Sequence, residues 1–194
     1  NTTLPSAITG TGDFIKQGFA TLTLTGTKSF AGTTTVAGGR VQVDGSMAAS
    51  RFQVNSGATL GGSGRVGETS IANGGALEGR SGQVLTMASL ALNPNSRIDV
   101  ALGAPGNATG LFKVNGNLVL DGTLNATDAG GTGTGVYRIF DYAGALTDNG
   151  LEVGTLPSGS GTVQTAMANQ VNLVVSGGSG GAAEFWNGSQ MSAD

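Results

Sequence analysis

The sequence predicts an all-β chain that coils into a single-stranded parallel β-helix and ends in a hairpin-containing cap. Three observations carry that prediction. Apolar residues come in pairs flanking one polar residue, turns rich in glycine and asparagine separate the pairs, and a strand-turn-strand unit returns at intervals of about 20 residues.

In chain order the pairs are Leu22-Thr23-Leu24, Val41-Gln42-Val43, Phe52-Gln53-Val54, Ile98-Asp99-Val100, Phe112-Lys113-Val114, Tyr137-Arg138-Ile139 and Val171-Asn172-Leu173. Alternation with a period of two gives short strands with one face buried and the other solvated. No segment sustains the 3.6-residue period of an amphipathic helix, so no helix is expected.

The turns read "AGG", "NSGA", "NGGA", "NPNS" and "LDGT". Glycine and asparagine reach positive φ at low cost, and proline presets its own φ. Across these turns Val54 precedes Leu60 by six residues, as Ile71 precedes Leu77, Leu92 precedes Ile98 and Leu118 precedes Leu124. Successive copies start 17, 21 and 26 residues apart, the last interval holding "LGAPGNATG" from Leu102 to Gly110.

A β-sandwich is the alternative, but its hairpins favour two-residue turns between antiparallel neighbours. Here one core position returns once per repeat, as parallel stacking requires. Val41, Val54, Leu60, Ile71, Leu77, Leu92 and Ile98 then stack inward as aliphatic ladders. About nine coils at ~4.8 Å each would make a rod on the order of 40 Å long.

These coils are assigned to residues 1–132. The stretch "GVYRIFDYAGAL", residues 135 to 146, concentrates Tyr137, Phe140 and Tyr142 and leaves the repeat spacing. A solenoid must cover its open core and unpaired edge, so residues 133–176 are expected to form a capping, hairpin-containing segment. Residues 177–194 are a linker-like tail.

Composition excludes several classes. The 36 glycines follow no three-residue register and only 4 prolines accompany them, so the chain is not collagen. With 38% hydrophobic and 11% charged residues it is not kept open by charge and polarity either. Net charge is -3 and the 9 Lys and Arg are scattered, which argues against nucleic acid and anionic membranes as partners. Cysteine and histidine are both absent, removing disulfides, thiolate and Ser-His-Asp nucleophiles, and His- or Cys-ligated zinc. No run of residues approaches a membrane span, so any export signal or anchor is expected outside these residues.

The stretch "IKQGFATLTLTGTKSFAGTTTVAGGRVQV", Ile15 to Val43, resembles the passenger-associated transport repeat of bacterial autotransporters. Lys16, Gly18, Thr21, Leu22, Leu24, Gly26, Phe30, Gly32, Thr33, Thr34, Val36, Gly39, Val41 and Val43 occupy the positions of that pattern. Ala20 stands where the pattern usually has a second glycine, and Phe30 where it commonly has tyrosine. The resemblance implies a right-handed parallel β-helix, exported through the outer membrane and displayed or released outside the cell as a structural rod and adhesin segment. It further implies an autochaperone-like role for residues 133–176 and host-cell surface proteins or glycans, or self-association, as partners. The family's outer-membrane barrel is absent from this chain, and no direct membrane insertion by it is expected. The lack of cysteine suits passage through an oxidising periplasm.

The alternative function is a polysaccharide-active β-helix lyase or hydrolase, which needs clustered carboxylates or calcium. Asp99 and Asp121 could approach one another if their coils stack, yet the acids are otherwise dispersed. "GGSGRVGE" departs from the calcium-binding glycine nonapeptide at Arg65. No catalytic residue, metal or cofactor is therefore assigned. Arg40, Arg65, Arg80 and Arg97 recur at about one per coil and form a candidate cationic binding face, with Glu68, Glu78 and Asp99 as possible ion-pair partners. Phe185 and Trp186 are a candidate partner anchor. The sequons at Asn107 and elsewhere are expected to stay bare in a bacterial product.

Overall fold

The computed structural model describes residues 1–177, and among them are 20 strands and no helix. One sheet stacks Thr2–Leu4, Thr21–Leu24, Gly39–Val43, Ala58–Gly61, Ala76–Arg80, Arg97–Leu102, Thr123–Asp128 and Glu152–Val153 in that order, all parallel. Neighbours in this order are successive turns of the chain around a common core. The predicted parallel coil is therefore the observed one.

The second sheet stacks Phe14–Lys16, Thr33–Val36, Arg51–Val54, Arg65–Ile71, Leu85–Leu92, Phe112–Val114 and Gly135–Tyr142 in parallel. Its longer strands bend. Met87 and Leu90 are both buried although three residues apart, so the alternation slips a phase between them. Residues before the bend pair with Phe112–Val114 and those after it with Leu118–Leu120, which in turn pairs with Leu146–Asp148.

The expected ladders run up the interior. Leu22, Val41, Leu60, Leu77, Ile98 and Leu124 are register partners in one column, and Val36, Val54, Ile71 and Leu92 in another. All of them are buried. Stacking like on like buries each side chain against the coils above and below, the main stabilising term in such a rod.

Two expectations need correction. Leu118 stacks on Leu90 and not on Leu92, because the corner at Asp121-Gly122 is shorter than the "NPNSR" corner below it. The six-residue spacing from Leu118 to Leu124 is thus not a fourth copy of the unit. The first sheet also has eight rungs rather than nine, giving about 34 Å at ~4.8 Å per step. From Leu60 onward the coils lengthen: the Leu60–Leu77 step is 17 residues, Ile98–Leu124 is 26 and Leu124–Val153 is 29.

At the far end Gly135–Tyr142 pairs antiparallel with Gln170–Ser176, which pairs antiparallel with Ser160–Gln164. Tyr137, Ile139, Phe140, Val171 and Leu173 are buried there, and the Phe140 ring lies 5.1 Å from that of Phe112 in the preceding rung. The Tyr137 hydroxyl accepts from the Gly133 amide at 2.8 Å and donates to the Gly133 carbonyl at 2.7 Å.

Candidate functional site

Outward positions of the first sheet form polar columns. Arg40, Thr59, Arg97 and Thr123 share one column, interrupted by the fully buried Ala76; Ala101 separates Arg80 from Thr127 in another. Arg65 lies on the second sheet, between Ser46 and Thr86. The structure thus gathers Arg40, Arg80 and Arg97 on one face and sets Arg65 on a different sheet. Phe185 and Trp186 lie outside the described residues.

Most charge on this face is paired. The Arg40 guanidinium takes both Glu78 oxygens, Nε to Oε2 at 2.7 Å and Nη2 to Oε1 at 3.0 Å, and its Nη1 donates to Gln42 Oε1 at 2.6 Å. Arg97 Nε lies 3.5 Å from Asp99 Oδ2, while Asp99 Oδ1 accepts from Asn125 Nδ2 at 2.9 Å. Asn125 Oδ1 in turn accepts from the Thr155 amide at 3.1 Å. Asp99 therefore has Glu78 and Asn125 as register neighbours, and Asp121 instead caps the Gly122 amide at 2.8 Å.

Arg80 differs, for it makes no ion pair among the described residues. It borders two adjoining clefts. One, of about 470 Å³, is lined by Glu78, Arg80, Asp99, Ala101, Asn125 and Thr127 among others; the second, of about 260 Å³, includes Arg40, Gln42 and Gln83. Around Ala101 the first cleft brings together an amide, two hydroxyls, two carboxylates and the Arg80 guanidinium. Among the described residues no cluster of three or more His, Cys, Asp or Glu side chains could hold a metal.

Two buried lysines carry a second arrangement, which sequence reasoning missed. Lys16 occupies the position below Val36 at the foot of the second ladder, and its ammonium donates to the carbonyls of Gln17 at 3.0 Å, Gly18 at 2.7 Å and Gly38 at 2.8 Å. Lys28 is 2% exposed, and its ammonium donates to the carbonyls of Leu4 at 3.0 Å, Ser6 at 3.0 Å and Thr25 at 2.6 Å. Each uses all three protons of the ammonium, as a buried charge must. Burial holds the Lys28 pKa below the ordinary lysine value. Lys16 was visible in the repeat pattern without a role; Lys28 sits in "TGTKSF" with no periodic signal.

Residues 14–43 match the family described as passenger-associated-transport-repeat. The chain carries that transport repeat. The repeat supplies two consecutive rungs to each sheet: Phe14–Lys16 and Thr33–Val36 in one, Thr21–Leu24 and Gly39–Val43 in the other. It is a two-coil unit, and both buried lysines belong to it. Over 106 residues the chain is also 49% identical to the "Adhesin BmaC autotransporter" of Brucella suis biovar 1 (strain 1330), an alignment covering 52% of this chain and 3% of that protein. Both comparisons agree with the autotransporter resemblance drawn from the residues of the transport repeat.

Proposed function

We propose that this chain is an extracellular passenger segment of an autotransporter adhesin, a rod that presents surface and carries out no turnover. One observation carries the reading: the transport repeat forms consecutive rungs of a continuous parallel solenoid, in a chain of which 52% aligns at 49% identity with a small part of an adhesin autotransporter. No geometry favours the polysaccharide-active enzyme, since Asp99 is engaged by Arg97 and Asn125 and Asp121 by its own turn. Residues 133–176 would assist folding by closing the end of the rod where Phe112 would otherwise lie bare. The contact surface would be the face around Arg80, whose unpaired guanidinium suits an acidic host-cell glycan.

The test has two arms. In cells producing the full-length protein, the segment should be open to protease added outside. The purified chain should bind immobilised acidic glycans in a salt-sensitive way and lose at least about tenfold in affinity on Arg80→Ala, as expected for a charge-assisted contact. Protection from external protease would defeat the exported-passenger reading. Absence of glycan binding would leave the chain a spacer between adhesive parts.

A further inference from the structure

Residues 1–13 bury no side chain completely; only Leu4 and Ile8 pack partly on the core. Hydrophobic burial therefore holds this first stretch weakly. Beyond the strand pairing of Thr2–Leu4 with Thr21–Leu24 and the bonds from the Thr21 and Thr33 amides to Asn1 and Asp13, it has a set of hydrogen bonds to one corner of the next coil. The amides of Thr25, Ser29 and Ala31 donate to the carbonyls of Leu4, Ile8 and Gly10 at 3.2, 2.9 and 3.0 Å. Set among them, the Lys28 ammonium takes the carbonyls of Leu4 and Ser6 in two charge-assisted bonds that reach the first coil. The main chain of Lys28 faces the other way, its amide donating to the Ser46 carbonyl of the third coil at 2.8 Å. One residue thus ties three successive coils.

We propose that Lys28 makes the transport repeat an acceptor for the coil that precedes it in the chain: its ammonium is a binding site for the backbone carbonyls of residues 4–6. The two lysines divide the work. The three acceptors of Lys16 lie within residues 14–43 and close the two-coil unit on itself. Two of the three acceptors of Lys28 lie outside those residues, on the N-terminal side. The repeat is consequently directional: it completes itself with one lysine and captures its upstream neighbour with the other. An ammonium suits this use because three carbonyls leave it fully satisfied, whereas an apolar side chain of the same length would withdraw one donor from each of them, leaving Leu4 only the Thr25 amide from this corner.

Amide hydrogen exchange on the whole chain tests the proposal, comparing the wild type with Lys28→Met and Lys28→Gln, the latter retaining two donors. Lys28→Met should speed exchange of the Thr25, Ser29 and Ala31 amides at least about tenfold, with Lys28→Gln between it and wild type. The amides of Val41, Leu60 and Leu77 should be unchanged. Equal loss of protection in every coil would overturn the proposal, as would no loss at Thr25, Ser29 and Ala31. Failure of both variants to fold would overturn it too, because the capture would then not be local.

Discussion

Arg40 holds Glu78 from two rungs away, across the bare backbone of Gly61. A Cβ at Gly61 would stand 3.3 Å from Arg40 Nη2 and 3.2 Å from the Glu78 carbonyl. The missing side chain is the opening through which the guanidinium passes. The pair remains partly solvated, with side-chain exposures of 29% and 41%. A double-mutant cycle on Arg40→Ala and Glu78→Ala should give a coupling of about 0.5–1 kcal/mol that shrinks with added salt. Gly61→Gln should abolish that coupling by filling the gap. A salt-insensitive coupling would show that the contact is packing rather than charge.

Ile71 and Leu77 each lie between two aliphatic ladder partners and are fully buried. Ile71→Asp and Leu77→Asp should each destabilise by about 3–5 kcal/mol, the cost of an unpaired buried charge. Thr23→Asp, on the solvated side of its strand, should change stability by less than about 1 kcal/mol. Thermal melting of the three variants checks this. Similar melting points would mean that the in-out register is wrong.

Gly26, Gly45 and Gly64 stand one above another at a corner where the coils approach closely. A Cβ on Gly45 would collide with the Gly26 carbonyl, and one on Gly64 with the Gly45 carbonyl. Gly45→Ala should therefore cost about 1–3 kcal/mol by overpacking. Gly12→Ala, with nothing within 4 Å of the added carbon, should be neutral or slightly stabilising. Chemical denaturation of both would reveal any reversal of that order.

Asp128 accepts from the Thr132 hydroxyl at 2.7 Å and from the amides of Gly130 and Thr132 at 2.7 and 3.2 Å. The Thr132 side-chain bond, followed by the two amides, holds its carboxyl below the ordinary value of 3.8. A depressed carboxylate stabilises the fold fully above that ordinary value and loses its contribution as pH falls through the lower, folded one. An NMR titration should find the Asp128 midpoint below that of the denatured chain, and Thr132→Val should raise it. An unmoved midpoint in Thr132→Val would remove the hydroxyl as the main cause.

Ending the chain after Thr132 would strip Phe140 from Phe112 and expose the edge of Phe112–Val114. The shortened protein should melt lower and associate in size-exclusion chromatography. A monomer of unchanged stability would deprive residues 133–176 of a folding role.

The ladders were legible in the sequence because period-two alternation and a recurrent turn leave their mark on residue type: every apolar member of the seven strand pairs is buried. The register around Leu118 was not, since the spacing to Leu124 repeats although the corner has changed length. The arginines of the first sheet could be placed at about one per coil, but not sorted into paired and unpaired. That sorting depends on Gly61, whose contribution is an absence of atoms. Lys28 was hidden for a related reason: its partners are backbone carbonyls, which every residue type supplies alike.

In the parallel stacks of both sheets the strands run across the rod, so their backbone hydrogen bonds point along its length. Tension between the two ends of such a rod does not shear many bonds at once; it loads the rungs in series, each a row of only a few bonds. Mechanical resistance is then set by the weakest rung and not by the sum, and yielding at one rung lets out the 17 to 29 residues of a single coil. Single-molecule pulling should show a staircase of short extensions at modest force, a geometry that absorbs shock by lengthening where a shear-loaded sandwich would rupture in one event.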